Sequence, residues 1–278
     1  MLIVIGFDFL AGNQVSRPLI RGVLMNNLIM IFTLVGFIAA CTKTTSYTNM
    51  NRVPNKKSKI INGHMVIASD SQSKHTVGIY KKGETTCTGV IVSKNTVLTA
   101  AHCVDEMKNG KVSFGLQKNN REFREITDHI QHPEYDETVV GLADVPANDL
   151  MVLKFKGALP FGFEPAEISN IDIVQDNIEV VLSGFGRDED NQYDVLKSTT
   201  VKVIQTAPYE FRTSEKKSGS CDGDSGGPVF FRNADEKYTL VGSVSRGDMN
   251  CNLYGIYENM TYYKNWINDS ISRLQVAP

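Results

Sequence analysis

From Ile60 onward the apolar residues come in short runs bounded by turn formers, which restricts most of the chain to strands. Thr88 to Val92, Thr96 to Ala101, Leu150 to Phe155, Ile178 to Leu182 and Thr239 to Val244 are each strand-length and apolar, with turn residues between them. Helical spacing is sustained only near the end. Tyr262 to Leu274 (YYKNWINDSISRL) carries apolar residues near i, i+3, i+4 and i+7, predicting one amphipathic helix. The expectation is an all-β domain over 60–278, closed by a C-terminal α-helix, of a size at which one barrel or sandwich unit is common.

The segment before Ile60 has a different texture. Residues 42–59 (TKTTSYTNMNRVPNKKSK) are polar and basic at their end, and are expected to form a propeptide or linker rather than a core. Leu28 to Ala40 (LIMIFTLVGFIAA) is short for a bilayer span and suits the apolar centre of a secretory signal, so 1–41 is read as an export signal. Its end, Ile38-Ala39-Ala40-Cys41, resembles the lipobox of bacterial lipoproteins, which implies lipidation at Cys41. An ordinary signal peptide or signal anchor is the alternative, with Cys41 then incidental. Translation from Met25 would shorten an unusually long leader but would remove Arg17 and Arg21, the basic residues such a leader needs. The expected product is exported, either secreted or held at the cell surface or outer membrane as a lipoprotein.

Charge and cysteines exclude several functions. With 29 basic against 31 acidic residues there is no general attraction for nucleic acid. The five cysteines, Cys41, Cys87, Cys103, Cys221 and Cys251, show no metal-type spacing, so a zinc site is not expected; no other metal and no cofactor is expected either. Four of them follow Ile60 and can form two disulfides, which implies an oxidising compartment.

Three segments carry chemistry. In Gly223-Asp224-Ser225-Gly226-Gly227-Pro228 a serine sits in a glycine-rich turn whose backbone N–H groups can curl toward an oxyanion. Such a hydroxyl needs a base to become a nucleophile. Thr99-Ala100-Ala101-His102-Cys103 offers one at a strand end, and a disulfide from Cys103 to Cys87 would fix its backbone. His64, His75, His129 and His132 have no comparable setting and read as structural or surface residues. Asn148-Asp149-Leu150-Met151-Val152-Leu153 places a carboxylate at the entry to an apolar strand, where burial demands a partner; His102 is the one on offer.

In the order His, Asp, Ser, these segments resemble the trypsin or chymotrypsin family. Ile60-Ile61-Asn62-Gly63, Gly184-Phe185-Gly186 and Ser243 to Gly247 extend the likeness from Ile60 to about Leu274. The resemblance implies two perpendicular six-stranded antiparallel β-barrels with a C-terminal helix, and a serine endopeptidase acting on protein or peptide substrates as a monomer. It makes Ser225 the nucleophile, His102 the general acid and base, and Asp149 its orienting partner. The N–H groups of Gly223 and Ser225 would form the oxyanion hole, Ser245 would support Asp149, and Cys221 would pair with Cys251 beside the specificity pocket. Asp224 would pair with the α-ammonium of Ile60 once an activating protease cuts after Lys59, which implies a zymogen and the loss of any lipid anchor on activation.

Departures from the family fall mainly at the pocket. Gly219 stands where trypsin has an aspartate, and with Ser220, Gly247 and Gly255 it implies an open, neutral pocket favouring a large apolar or aromatic residue before the scissile bond. Asp222 and Asp248 at the rim favour a basic residue instead. Arg246 replaces a tryptophan that usually packs on the substrate, and Ser214 to Ser220 (SEKKSGS), lacking a nearby family disulfide, is expected to be loosely held. A binding protein that had lost catalysis would be expected to lack a triad residue, and none is lacking. A lipase-type esterase would need a Gly-x-Ser-x-Gly elbow between strand and helix.

Overall fold

The computed structural model describes residues 60–276 apart from 107, 108, 143, 144 and 189. The readings made for 1–59, among them lipidation at Cys41 and cleavage after Lys59, lie outside the described residues.

A two-residue strand, β1 (His64–Met65), precedes the first barrel, which comprises β2 (Thr76–Lys81), β3 (Glu84–Ser93), β4 (Thr96–Thr99), β5 (Lys111–Phe114), β6 (Glu122–Gln131) and β7 (Met151–Phe155). These close antiparallel in the order β2-β3-β4-β7-β6-β5. Alternation explains why β3, β4 and β7 read as continuous apolar runs: both of their faces are buried. Ile91, Val97 and Leu153 point into the barrel with Val77, Ile79, Phe114 and Phe155. Val90, Leu98 and Val152 point outward and meet Phe230, Leu240 and Ile267 from the rest of the molecule.

The second barrel contains β8 (Glu179–Gly184), β9 (Lys197–Thr206), β10 (Glu210–Ser214), β11 (Pro228–Arg232), β12 (Tyr238–Gly247) and β13 (Tyr254–Asn259). Its order is β9-β10-β13-β12-β11-β8, closed by pairing of β8 with β9. Two six-stranded antiparallel barrels are therefore present, as the sequence led us to expect. The core of the second holds Val180, Leu182, Val203, Phe211, Val229 and Tyr257, and Ile60 is part of it. β1 adds to its edge through His64 opposite Ser198 and Met65 opposite Lys197.

The helix α1 (Met260–Val276) follows β13 directly and spans 17 residues. It buries Met260, Tyr263, Ile267 and Leu274, a stripe at helical spacing, against β6, β7, β12 and β13. Ile267 is fully buried, so its truncation to alanine costs about 2–5 kcal/mol.

Candidate active site

His102 is held by both of its flanks. β4 ends at Thr99, paired with Met151 of β7, and a 3₁₀ turn over Ala101–Glu106 then carries the histidine. Cys103, the next residue, forms a disulfide with Cys87 on β3. Asp149 stands just before β7, after Asn148, whose positive φ of 52° turns the chain and whose side-chain amide donates to the Glu134 carbonyl at 2.9 Å. An asparagine tolerates that left-handed conformation better than most residues do.

The strands bring these two residues into double contact. The His102 backbone N–H donates to Asp149 Oδ1 at 3.0 Å, and ring Nδ1 meets Oδ2 at 2.8 Å. With the carboxylate ionised, Nδ1 must carry the proton, which leaves Nε2 as the free base. Ser245 Oγ donates to the same Oδ2 at 2.7 Å, and Asp149 is only 4% exposed. Burial of the imidazole favours its neutral form, but the hydrogen bond and charge of Asp149 outweigh this and raise the His102 pKa above its ordinary 6.5.

Ser225 lies on the opposing barrel, in the turn before β11. That turn is tied to the first barrel by the Thr88 N–H, which donates to the Ser225 carbonyl at 2.9 Å, and by the Thr88 hydroxyl, which donates to the Gly223 carbonyl at 2.8 Å. Gly223 has φ 91°, a backbone region closed to most side chains, and this orients the turn. Ser225 borders a cavity of about 230 Å³ lined also by Ser220, Cys221, Ser245, Arg246, Gly247 and Cys251. His102 and Asp149 border a cleft of about 640 Å³, and Ser245, Arg246, Gly247, Asp248 and Met249 line both spaces. The two spaces are neighbours that share five wall residues, with His102 and Asp149 on one and Ser225 on the other.

Asp224 is turned inward, 1% exposed, and accepts from the Gly186 N–H at 2.8 Å and the Cys221 N–H at 2.9 Å. It fills the space over Gly184 and Gly186, where an added Cβ would stand 2.0 and 2.5 Å from carboxyl atoms. Burial pushes its pKa up to about 6, against the pull of those two N–H groups and of Lys197. Ile60 is fully buried with φ 47°, and Ile61 forms a bridge with Gly219.

Cys221 and Cys251 form the second disulfide. Segment 214–220 is better anchored than expected, because Glu215, Gly219 and Ser220 are all buried and the Gly219 N–H donates to the Ile61 carbonyl at 3.2 Å. Of the other histidines, His75 is buried with Nδ1 against the Glu164 carbonyl, and His132 packs on Trp266.

Sequence reading missed a set of buried acids around this centre. Glu258 Oε1 accepts the Asp149 backbone N–H at 2.9 Å, Glu210 is forked by Arg246, and Glu215 lies under Gly219. Burial drives the Glu258 carboxyl up to about 8, with the charge of Glu210 acting the same way. Arg246 also donates to Ser245 Oγ at 3.1 Å and to the Gly141 carbonyl at 2.8 Å, so it braces the residue that braces Asp149.

Comparison with known proteins gives consistent matches. The trypsin family model matches residues 60–267. A renal glandular kallikrein of Mastomys natalensis is 29% identical over 79% of this chain and 92% of its own. Kallikrein 1-related peptidase b11 of Mus musculus is 24% identical over 82% of this chain and 95% of its own. Vitamin K-dependent protein C of Oryctolagus cuniculus is 27% identical over 79% of this chain and 54% of its own.

Proposed function

Because the chain belongs to the trypsin family and is a serine endopeptidase, we propose that Ser225, His102 and Asp149 are its catalytic triad and that it is made as a zymogen. The observation that carries this reading is the paired contact of Asp149 with the backbone and ring of His102, in a cleft that shares five wall residues with the cavity beside Ser225.

The mechanism follows from these positions. Ser225 Oγ attacks the scissile carbonyl while His102 Nε2 takes its proton. The resulting imidazolium faces the Asp149 carboxylate, whose charge stabilises it. The N–H groups of Gly223 and Ser225 receive the oxyanion, and the positive φ of Gly223 supports that role. His102 next protonates the leaving amine, giving an acyl-enzyme, and then activates water to release the acid.

Zymogen control rests on Asp224. While residues 59 and 60 are joined, the Ile60 nitrogen is an amide and carries no charge. Cutting after Lys59 creates an α-ammonium, and a buried carboxylate with a raised pKa is a strong acceptor for it. The pair would order the Gly223–Ser225 turn, in which Asp224 is the middle residue. We further propose that the chain is exported before activation and acts as a monomer, with Cys41 as lipid attachment point and an activating protease as partner.

The direct test is peptide hydrolysis by the full chain after cleavage at Lys59, with Ser225→Ala and a Lys59→Gln precursor as controls. The expected result is activity only in the cleaved, unsubstituted protein. Turnover by Ser225→Ala sinks the triad, and full activity of the Lys59→Gln precursor sinks the zymogen.

A further inference from the structure

Among the described residues, Glu215 is a buried carboxylate with no ion-pair partner. It follows β10 directly and is 1% exposed. Its Oε1 accepts from Thr213 Oγ1 at 3.2 Å and Ser220 Oγ at 3.2 Å, and the Tyr257 hydroxyl donates to the same oxygen. Among the described residues, no lysine, arginine or histidine forms an ion pair with it. A carboxylate taken out of water without a countercharge costs several kcal/mol.

Its position gives that cost a purpose. A Cβ at Gly219 would stand 2.2 Å from Oε2, and one at Gly255 would stand 2.3 Å from Oε1, so the carboxylate lies directly against both glycines. Ser220, whose hydroxyl it holds, lines the 230 Å³ cavity that Ser225 borders. The two acids at the rim are already engaged. Asp222 is 69% exposed and pairs with Arg187 at 3.1 Å. Asp248 accepts the backbone N–H groups of Asn250, Asn252, Leu253 and Tyr254, which outweigh its partial burial and hold its pKa low.

We propose that Glu215 is the specificity-determining acid of this enzyme, meeting through the Ser220 hydroxyl the guanidinium or ammonium of an arginine or lysine before the scissile bond. The inference rests on the protease reading above. It reverses the preference implied by Gly219, since the missing charge is supplied from four residues earlier in the chain. Burial pushes the Glu215 carboxyl up to about 7, so an arriving cation finds a group ready to ionise against it. The same preference makes Lys59 of a second copy a fitting substrate.

The experiment uses the full chain cut after Lys59 by an immobilised lysine-specific protease, which is then removed. Values of kcat/KM are compared for peptides differing only in Arg, Lys, Phe or Leu before the cut, in the wild type and in Glu215→Gln. The wild type is expected to favour Arg or Lys by about 100-fold or more, and Glu215→Gln to lose that margin while Phe and Leu peptides change by less than about threefold. A second readout is calorimetric binding of benzamidine, an aryl amidinium, against uncharged benzyl alcohol in the Ser225→Ala protein. Benzamidine is expected to bind, and about tenfold or more weakly once Glu215→Gln is added.

A wild type preferring Phe or Leu, an Arg preference that survives Glu215→Gln, or benzamidine binding no tighter than that of benzyl alcohol overturns the proposal. If Glu215→Gln does not fold, the wild-type preference and the benzamidine comparison decide it. Labelling of Ser225 by diisopropyl fluorophosphate reports separately on the catalytic reading, so a protein that takes no label fails that reading, whereas a labelled protein that prefers Phe or Leu fails this one alone.

Discussion

Arg246 grips Glu210 with a two-pronged fork, Nη1 to Oε1 and Nη2 to Oε2, each at 2.9 Å. Glu210 has no exposed surface, and the arginine side chain is 17% exposed. Removing one partner of such a pair leaves an uncompensated charge, so Arg246→Ala should destabilise the protein by about 3–5 kcal/mol. The double variant Arg246→Met with Glu210→Leu should recover most of the loss. Urea midpoints measure both, and equal midpoints for wild type and Arg246→Ala would show that the fork contributes nothing.

Asp149→Asn should leave the fold intact and lower kcat by about 10⁴, since an amide there favours the wrong imidazole tautomer. In the wild type, kcat/KM should rise as His102 loses its proton, with a midpoint above 6.5, the ordinary value from which Asp149 raises it. A midpoint below 6.5 would mean that burial, not Asp149, dominates this imidazole.

Stability of the uncut Ser225→Ala protein should fall as pH rises from 6.5 to 8. Glu215 and Glu258 are raised to about 7 and about 8 from an ordinary 4.5, so the folded state holds protons that the unfolded chain has released. Folding then weakens with rising pH, by up to about 1.4 kcal/mol per pH unit for each proton. His102 acts in the same direction, because its raised pKa confers stability that is complete below 6.5 and lost as pH passes the folded value. His75 and His132, both lowered by burial, act the other way near the window's start, where the unfolded imidazoles still hold protons, and are neutral in both states toward pH 8. Thermal melts across the window test this, with Glu258→Gln expected to flatten the slope; a melting temperature that rises instead contradicts it.

Replacing Cys87 and Cys103 together by alanine should cost about 3 kcal/mol, the figure for a closed loop near their separation of 16 residues. Because His102 adjoins Cys103, kcat should also drop while the far-ultraviolet spectrum is kept. Unchanged kcat in the double-alanine variant would show that the β4–β7 pairing alone fixes the histidine.

The strand runs at Thr88, Thr96, Leu150, Ile178 and Thr239 were legible because each alternates into a core on at least one side, and β4 and β7 do so on both. The stripe of α1 was legible for the same reason. His102, Asp149 and Ser225 stood out because each sits in an unusual local setting. Glu210, Glu215 and Glu258 did not, since a glutamate at a strand end looks the same in sequence whether it faces water or a neighbour. Only the fold supplies Arg246 to the first, three hydroxyls to the second, and the Asp149 amide to the third. For segment 214–220 the lack of a nearby family disulfide suggested a loosely held loop, and only the two lysines are exposed.

The path of the chain between the barrels has a mechanical meaning. Ile60 and β1 precede the first barrel in sequence yet lie in the second, while α1 follows the second and packs against β6 and β7 of the first. Each half therefore lends an end of its chain to the other, like two pages sewn through both margins. Prising the halves apart means peeling away a strand edge on one side and a helix on the other in the same event. The joint should yield all at once rather than swing.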